Sequence, residues 1–139
     1  MRGGIVMRQS RTFIPTTREV PSSAEATSHK LLIKAGMVKQ VSAGVYTHLP
    51  LATKVIQKIE KVIREEHEKI GAVELLMPIL QSDEYWKKSG RWNKMGDELI
   101  RVTDRKNAGY ALSPTAEEII CQTVSNMVTS YKQLPVNLY

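Results

Sequence analysis

Cysteine is almost missing from this chain: Cys121 is the only one among 139 residues. An internal disulfide is thereby excluded, and a reducing cytoplasm is the expected location. The three histidines, His29, His48 and His67, stand far apart, and with a single cysteine they leave no spacing for a zinc set, so no metal site is expected. No apolar run approaches the roughly 18 residues a membrane span requires, which removes a membrane partner. Arg8 and Arg11 interrupt the apolar Ile5, Val6 and Met7, so no secretory core forms there. Nucleotide loops are missing as well. There is neither a Gly-x-x-x-x-Gly-Lys phosphate loop nor a Gly-x-Gly-x-x-Gly turn, and no Gly-x-Ser-x-Gly elbow.

What is present suits a soluble globular chain, with 42% hydrophobic and 24% charged residues. The net charge of +6 comes from 20 Lys and Arg spread along the sequence. That balance admits a nucleic-acid partner without requiring one. Met1 to Val6 read as an extension, and Met7 to Tyr139 as one domain. Ser22-Ser23-Ala24-Glu25 has capping-box spacing and predicts a helix start, with Leu31, Leu32 and Ala35 as the apolar face and Gly36 as terminator. Met37 to Val41 and Val45 to Leu49 predict a hairpin.

Pro50 opens the longest helix, to about Ile70, because proline suits a first turn that needs no N–H there. Leu51, Val55, Ile59, Val62 and Ile63 recur at three- and four-residue steps. Val73 to Met77 read as a strand closed by Pro78. A short helix follows Ser82, then a loop at Ser89 to Trp92. Leu99 to Thr103 and Tyr110 to Leu112 form a second hairpin, and a last helix begins near Thr115. The apolar tail Leu134 to Tyr139 reads as a strand. Helices and hairpins alternate without a βαβ rhythm, so the expected class is α+β.

Ser113-Pro114-Thr115-Ala116-Glu117-Glu118 carries the most chemistry. Thr115 and Glu118 have capping-box spacing, and acidic residues suit the positive end of a helix dipole. That account assigns Glu118 to the cap and leaves Glu117 optional. The alternative reading turns Glu117 toward a cationic ligand beside the helix start. The residues alone favour the cap.

Several segments, in this order, resemble one family: Ser28-His29-Lys30-Leu31-Leu32, Ala43-Gly44-Val45-Tyr46-Thr47, Glu74-Leu75-Leu76-Met77-Pro78, Trp86-Lys87-Lys88-Ser89-Gly90-Arg91-Trp92, Pro114-Thr115-Ala116-Glu117-Glu118 and Ser130-Tyr131-Lys132-Gln133-Leu134-Pro135. Together they are similar to the start of the catalytic domain of bacterial prolyl-tRNA synthetases, which are class II aminoacyl-tRNA synthetases. The resemblance implies an antiparallel sheet with flanking helices, incomplete in this chain. It implies a ligase that activates proline with ATP and Mg2+ and passes it to tRNA(Pro). It maps the proline-binding Thr-x-Glu loop onto Thr115 and Glu117, and the homodimer-forming motif 1, with its proline, onto the long helix and Pro78. Ala116 and Ser113 depart from the His and Gly common in that family. The family's ATP-gripping arginines are expected beyond Tyr139. No catalytic residue is therefore assigned here, and the isolated chain is expected to be inactive. A sister synthetase such as the threonyl enzyme, and a non-catalytic remnant or dimerising module, are the alternative readings.

Overall fold

The computed structural model describes residues 8–139. The expected extension Met1 to Val6 lies outside them. The chain divides into two compact units, one ending at Glu66 and the other comprising His67–Tyr139. Helices and antiparallel strands mix throughout, as an α+β chain requires.

In the first unit, helix α1 (Thr27–Lys34) begins five residues after Ser22, and no side chain caps it. The expected capping box does not form. Pro21 instead accepts the N–H of Ala24 at 3.0 Å in a turn that buries Ala24. The helix face also differs from expectation. Ile33 is the buried residue, while Leu31 and Leu32 are exposed. Ile33 lines, with Val20, Pro21 and Val38, a groove of ≈ 580 Å³ between the N-terminal arm and the hairpin, and this tertiary contact sets the helix's rotation. The helix end is as the sequence indicates. The N–H groups of Gly36 and Met37 return to Ile33 and Leu32 at 3.0 and 2.9 Å, a Schellman ending with Gly36 at φ +64°. Strands β1 (Val38–Ser42) and β2 (Val45–His48) pair antiparallel. Helix α2 (Pro50–Lys69) runs 20 residues, with Glu60–Arg64 and Lys61–Glu65 pairs at 3.5 Å on its wet face. Its sequence is strongly amphipathic, yet Val55, Ile59 and Val62 are 44%, 55% and 57% exposed.

In the second unit, strands β3 (Leu80–Ser82), β4 (Ile100–Thr103) and β5 (Gly109–Leu112) form an antiparallel sheet in the order β3-β5-β4. Two expected strands are replaced. Val73 to Met77 and the tail make a single parallel bridge, Val73 to Leu138, with Val73 N–H on Asn137 at 2.9 Å and Leu75 N–H on Tyr139 at 2.7 Å. The true strand starts at Leu80, two residues past Pro78, which has no N–H to give a ladder.

Alternation along the strands puts Leu80, Leu112 and Ile100 in one row and Gln81, Ala111 and Arg101 in the next. The second row faces the core. Ala111 and Trp86 are fully buried and Leu99 nearly so. Trp86 belongs to helix α3 (Asp83–Lys88), which Ser82 caps by accepting the N–H of Glu84. The indole Nε1–H donates to Gln81 Oε1 at 3.2 Å, and Gln81 Nε2 donates to the carbonyl of Pro78 at 3.4 Å. The buried polar glutamine is thus satisfied at both ends. Removing so large a buried ring would cost about 3–5 kcal/mol. Ser89 to Trp92 is not loop throughout. Gly90, at φ +75°, turns the chain into a short helix α4 (Arg91–Lys94).

Candidate functional site

The last helix, α5 (Glu117–Met127), follows β5 through the loop 113–116. Ser113 Oγ donates to the Thr115 carbonyl, which tightens that loop. The helix starts two residues later than the sequence indicates. Its N-cap is Ala116, which has no side chain to cap with. The expected Thr115–Glu118 capping box is therefore absent, and both side chains take other partners.

Glu118 is the buried one, with its side chain only 4% exposed. Both its oxygens accept from Arg91 Nη1, at 2.9 and 3.0 Å, and Oε1 accepts from Ser89 Oγ at 3.0 Å. A carboxylate taken from water needs such partners, or burial would cost several kcal/mol. Arg91 is fixed in turn. Its guanidinium lies over the Trp86 ring at 4.9 Å, and Nη2 turns toward Met95 Sδ at 3.6 Å. Arg101 steadies the same short helix by donating to the carbonyls of Trp92 and Met95, both at 2.6 Å, while stacking on Trp92.

Thr115 and Glu117, the two expected ligands, meet above this pair. Arg91 Nη1 donates to Thr115 Oγ1 at 3.2 Å. The Thr115 hydroxyl bonds the Glu117 carboxylate, and this is the main reason that carboxyl titrates below its ordinary value of 4.5. The Glu117 backbone N–H adds to the lowering, and the charge of Arg91, at 3.6 Å, contributes less. Glu117 itself is 69% exposed. It opens onto a groove of ≈ 660 Å³ between α3 and α5, lined also by Tyr85, Lys88, Cys121 and Gln122. An exposed carboxylate held ionised beside a neutral hydroxyl suits a small cation with more than one N–H donor. Pro78 lies apart from this cluster, on the exposed segment before β3.

Arg91 was not singled out by the sequence. It stands 27 residues from Glu118, and no local spacing links them. The only signal is the Gly90 turn that sets an arginine between two tryptophans.

No family model matches the chain. Among curated proteins, it is 56% identical over 133 residues to the proline–tRNA ligase of Macrococcus caseolyticus and 53% identical to that of Halalkalibacterium halodurans. In both, the alignment takes in 96% of this chain. The chain is homologous to proline–tRNA ligases. It spans 23% of the length of these two relatives. Solved structures agree on a class II synthetase fold. The Giardia lamblia prolyl-tRNA synthetase in complex with prolyl-adenylate superposes at a TM-score of 0.70 with 25% identity, over 78% of this chain and 23% of that one. A threonyl-tRNA synthetase RNA-binding domain from Cryptosporidium parvum follows at 0.67 and 26%, over 73% of this chain and 26% of that one. The two curated prolyl relatives, at 56% and 53%, are more similar in sequence than this threonyl domain. Among the described residues, no helix is long and apolar enough to cross a membrane.

Proposed function

We propose that this chain is part of a proline–tRNA ligase and that Thr115 and Glu117 hold the substrate proline. In the whole enzyme the proline carboxylate attacks the α-phosphorus of ATP, pyrophosphate leaves, and the prolyl group passes from the adenylate to tRNA(Pro) in the cytoplasm. The observation that carries the reading is the exposed Glu117 carboxylate, held ionised by Thr115 at the mouth of a groove. Free proline carries a secondary ammonium with two N–H donors. One can meet Glu117 and the other the Thr115 oxygen, which leaves the proline carboxylate free to react. Among the described residues no group of three or more His, Cys, Asp or Glu fits a metal ion, so no role toward Mg2+ is assigned to them.

The reading is tested in a proline–tRNA ligase carrying this segment in place of its own. Glu117→Gln removes one charge-assisted hydrogen bond, about 1.5–3 kcal/mol. Proline-dependent ATP–pyrophosphate exchange should therefore lose roughly ten- to a hundredfold in kcat/KM. Unchanged exchange would remove Glu117 from the proline site.

A further inference from the structure

Glu118 lies beside the proposed proline ligand with its side chain buried, and the proposed reaction gives it no task. Arg91 explains its place. A cation 3.6 Å from Glu117 competes with any ammonium that Glu117 is meant to bind. Left to itself, a guanidinium this close would close on the carboxylate and make a direct hydrogen bond. It does not, because the hydrogens of Nη1, the nitrogen paired with Glu117, are already committed. Nη1 carries two N–H bonds. One is taken by the two oxygens of Glu118, at 2.9 and 3.0 Å, and the other by Thr115 Oγ1 at 3.2 Å. Nη2 is turned the other way, toward Met95. At 3.6 Å the Glu117 carboxylate is left with a long ion-pair contact to Arg91, which lowers its pKa less than the Thr115 hydroxyl does.

We propose that Glu118 is a positioning residue for the substrate site: it holds the Arg91 guanidinium inward, so that Glu117 stays open to an ammonium ligand. The inference rests on the proposed proline reading for its purpose, though not for its geometry. The other groups near Glu117 are Thr115 from the loop, Lys88 and Tyr85 from α3, Arg91 from α4, and Glu118 and Cys121 from α5. Among these the two cations are Lys88 and Arg91, and only Arg91 contacts the carboxylate within ion-pair distance.

The test follows the Glu117 side-chain carboxyl by carbon-13 NMR across a pH titration of the full 139-residue chain. The native chain is compared with Glu118→Gln and with the double variant Arg91→Gln/Glu118→Gln. In Glu118→Gln the guanidinium loses its buried counter-charge and turns to Glu117, whose pKa should fall by about one unit or more below native. In the double variant Glu117 should titrate within about half a unit of native, since removing the cation raises its pKa while removing the neighbouring anion lowers it. An unchanged or raised Glu117 pKa in Glu118→Gln overturns the proposal. So does a rise of about one unit or more in the double variant, which would make Arg91 the native partner of Glu117. If Glu118→Gln does not fold, the double variant decides alone, because it removes both buried charges together. The same samples are then titrated with L-proline, with N-acetyl-L-proline, which lacks the ammonium, as control. Affinity should weaken at least about fivefold in Glu118→Gln and return to within about threefold of native in the double variant, a pattern that loss of stability alone would not give. If the pKa pattern holds while L-proline moves Glu117 in none of the three chains, the guanidinium placement stands and the proline reading falls.

Discussion

Glu117 and Glu118 are neighbours of identical chemistry at one helix start, and the fold gives them opposite settings. Glu118 is sealed under Arg91 and Ser89, whereas Glu117 stands in water with Thr115 on one side. The lowered pKa of Glu117 has a direct consequence for pH. The folded chain prefers the charged form, so its contribution to stability is complete above the ordinary value of 4.5 and is lost as pH falls through the lower folded value. Thermal melts of the native chain and Glu117→Gln should therefore differ near neutral pH and converge below that value. A difference that grows on acidification would contradict the Thr115 and Arg91 contacts assigned to Glu117.

At the scale of elements, the helix ends are decided by different agents. The end of α1 is local: Gly36 sits at φ +64°, which side chains rarely tolerate. It is also crowded, since a Cβ there would lie 2.7 Å from the Pro15 carbonyl oxygen. Gly36→Ala should destabilise the first unit by more than about 1 kcal/mol, measured by urea unfolding. A variant as stable as the native chain would mean that the arm carrying Pro15 can move aside. The start of α5 is decided otherwise. Thr115 and Glu118 have the spacing to cap it, but Glu118 forms a buried ion pair with Arg91 and the helix begins uncapped at Ala116.

For the whole molecule, apolar surface left in water is the main unexplained load. Val55, Ile59 and Val62 line one side of α2, and Leu76 and Ile79 flank the exposed Pro78. Such surface favours association. In keeping with the motif 1 role that the family resemblance assigns to this helix and to Pro78, we expect the chain to self-associate. Sedimentation should show a dimer at micromolar concentrations, and Ile59→Lys with Val62→Glu should shift it to monomer. A native chain that sediments as a monodisperse monomer would remove this helix as an interface.

Thr115 and Glu117 entered as a pair of candidate ligands only through the family resemblance. The sequence by itself determined what depends on neighbours along the chain: the span of α2 from Pro50, the two hairpins, the glycine ending at Gly36 and the helix that follows Ser82. These rest on turn chemistry, periodicity and spacing, which act over a few residues. Tertiary structure decided the rest. It turned α1 so that Ile33 and not Leu31 or Leu32 is buried, because the arm and β1 lie on that side. It replaced the expected strand at Val73 to Met77 by a single bridge to the tail, because the partner there is a distant segment and Pro78 offers no N–H. It also moved Glu118 from cap to core, because a buried carboxylate gains more from a guanidinium and a hydroxyl brought in from elsewhere than from one backbone N–H. No pattern along the chain encodes that choice, since Arg91 meets Glu118 only when α4 and α5 are packed on the same core.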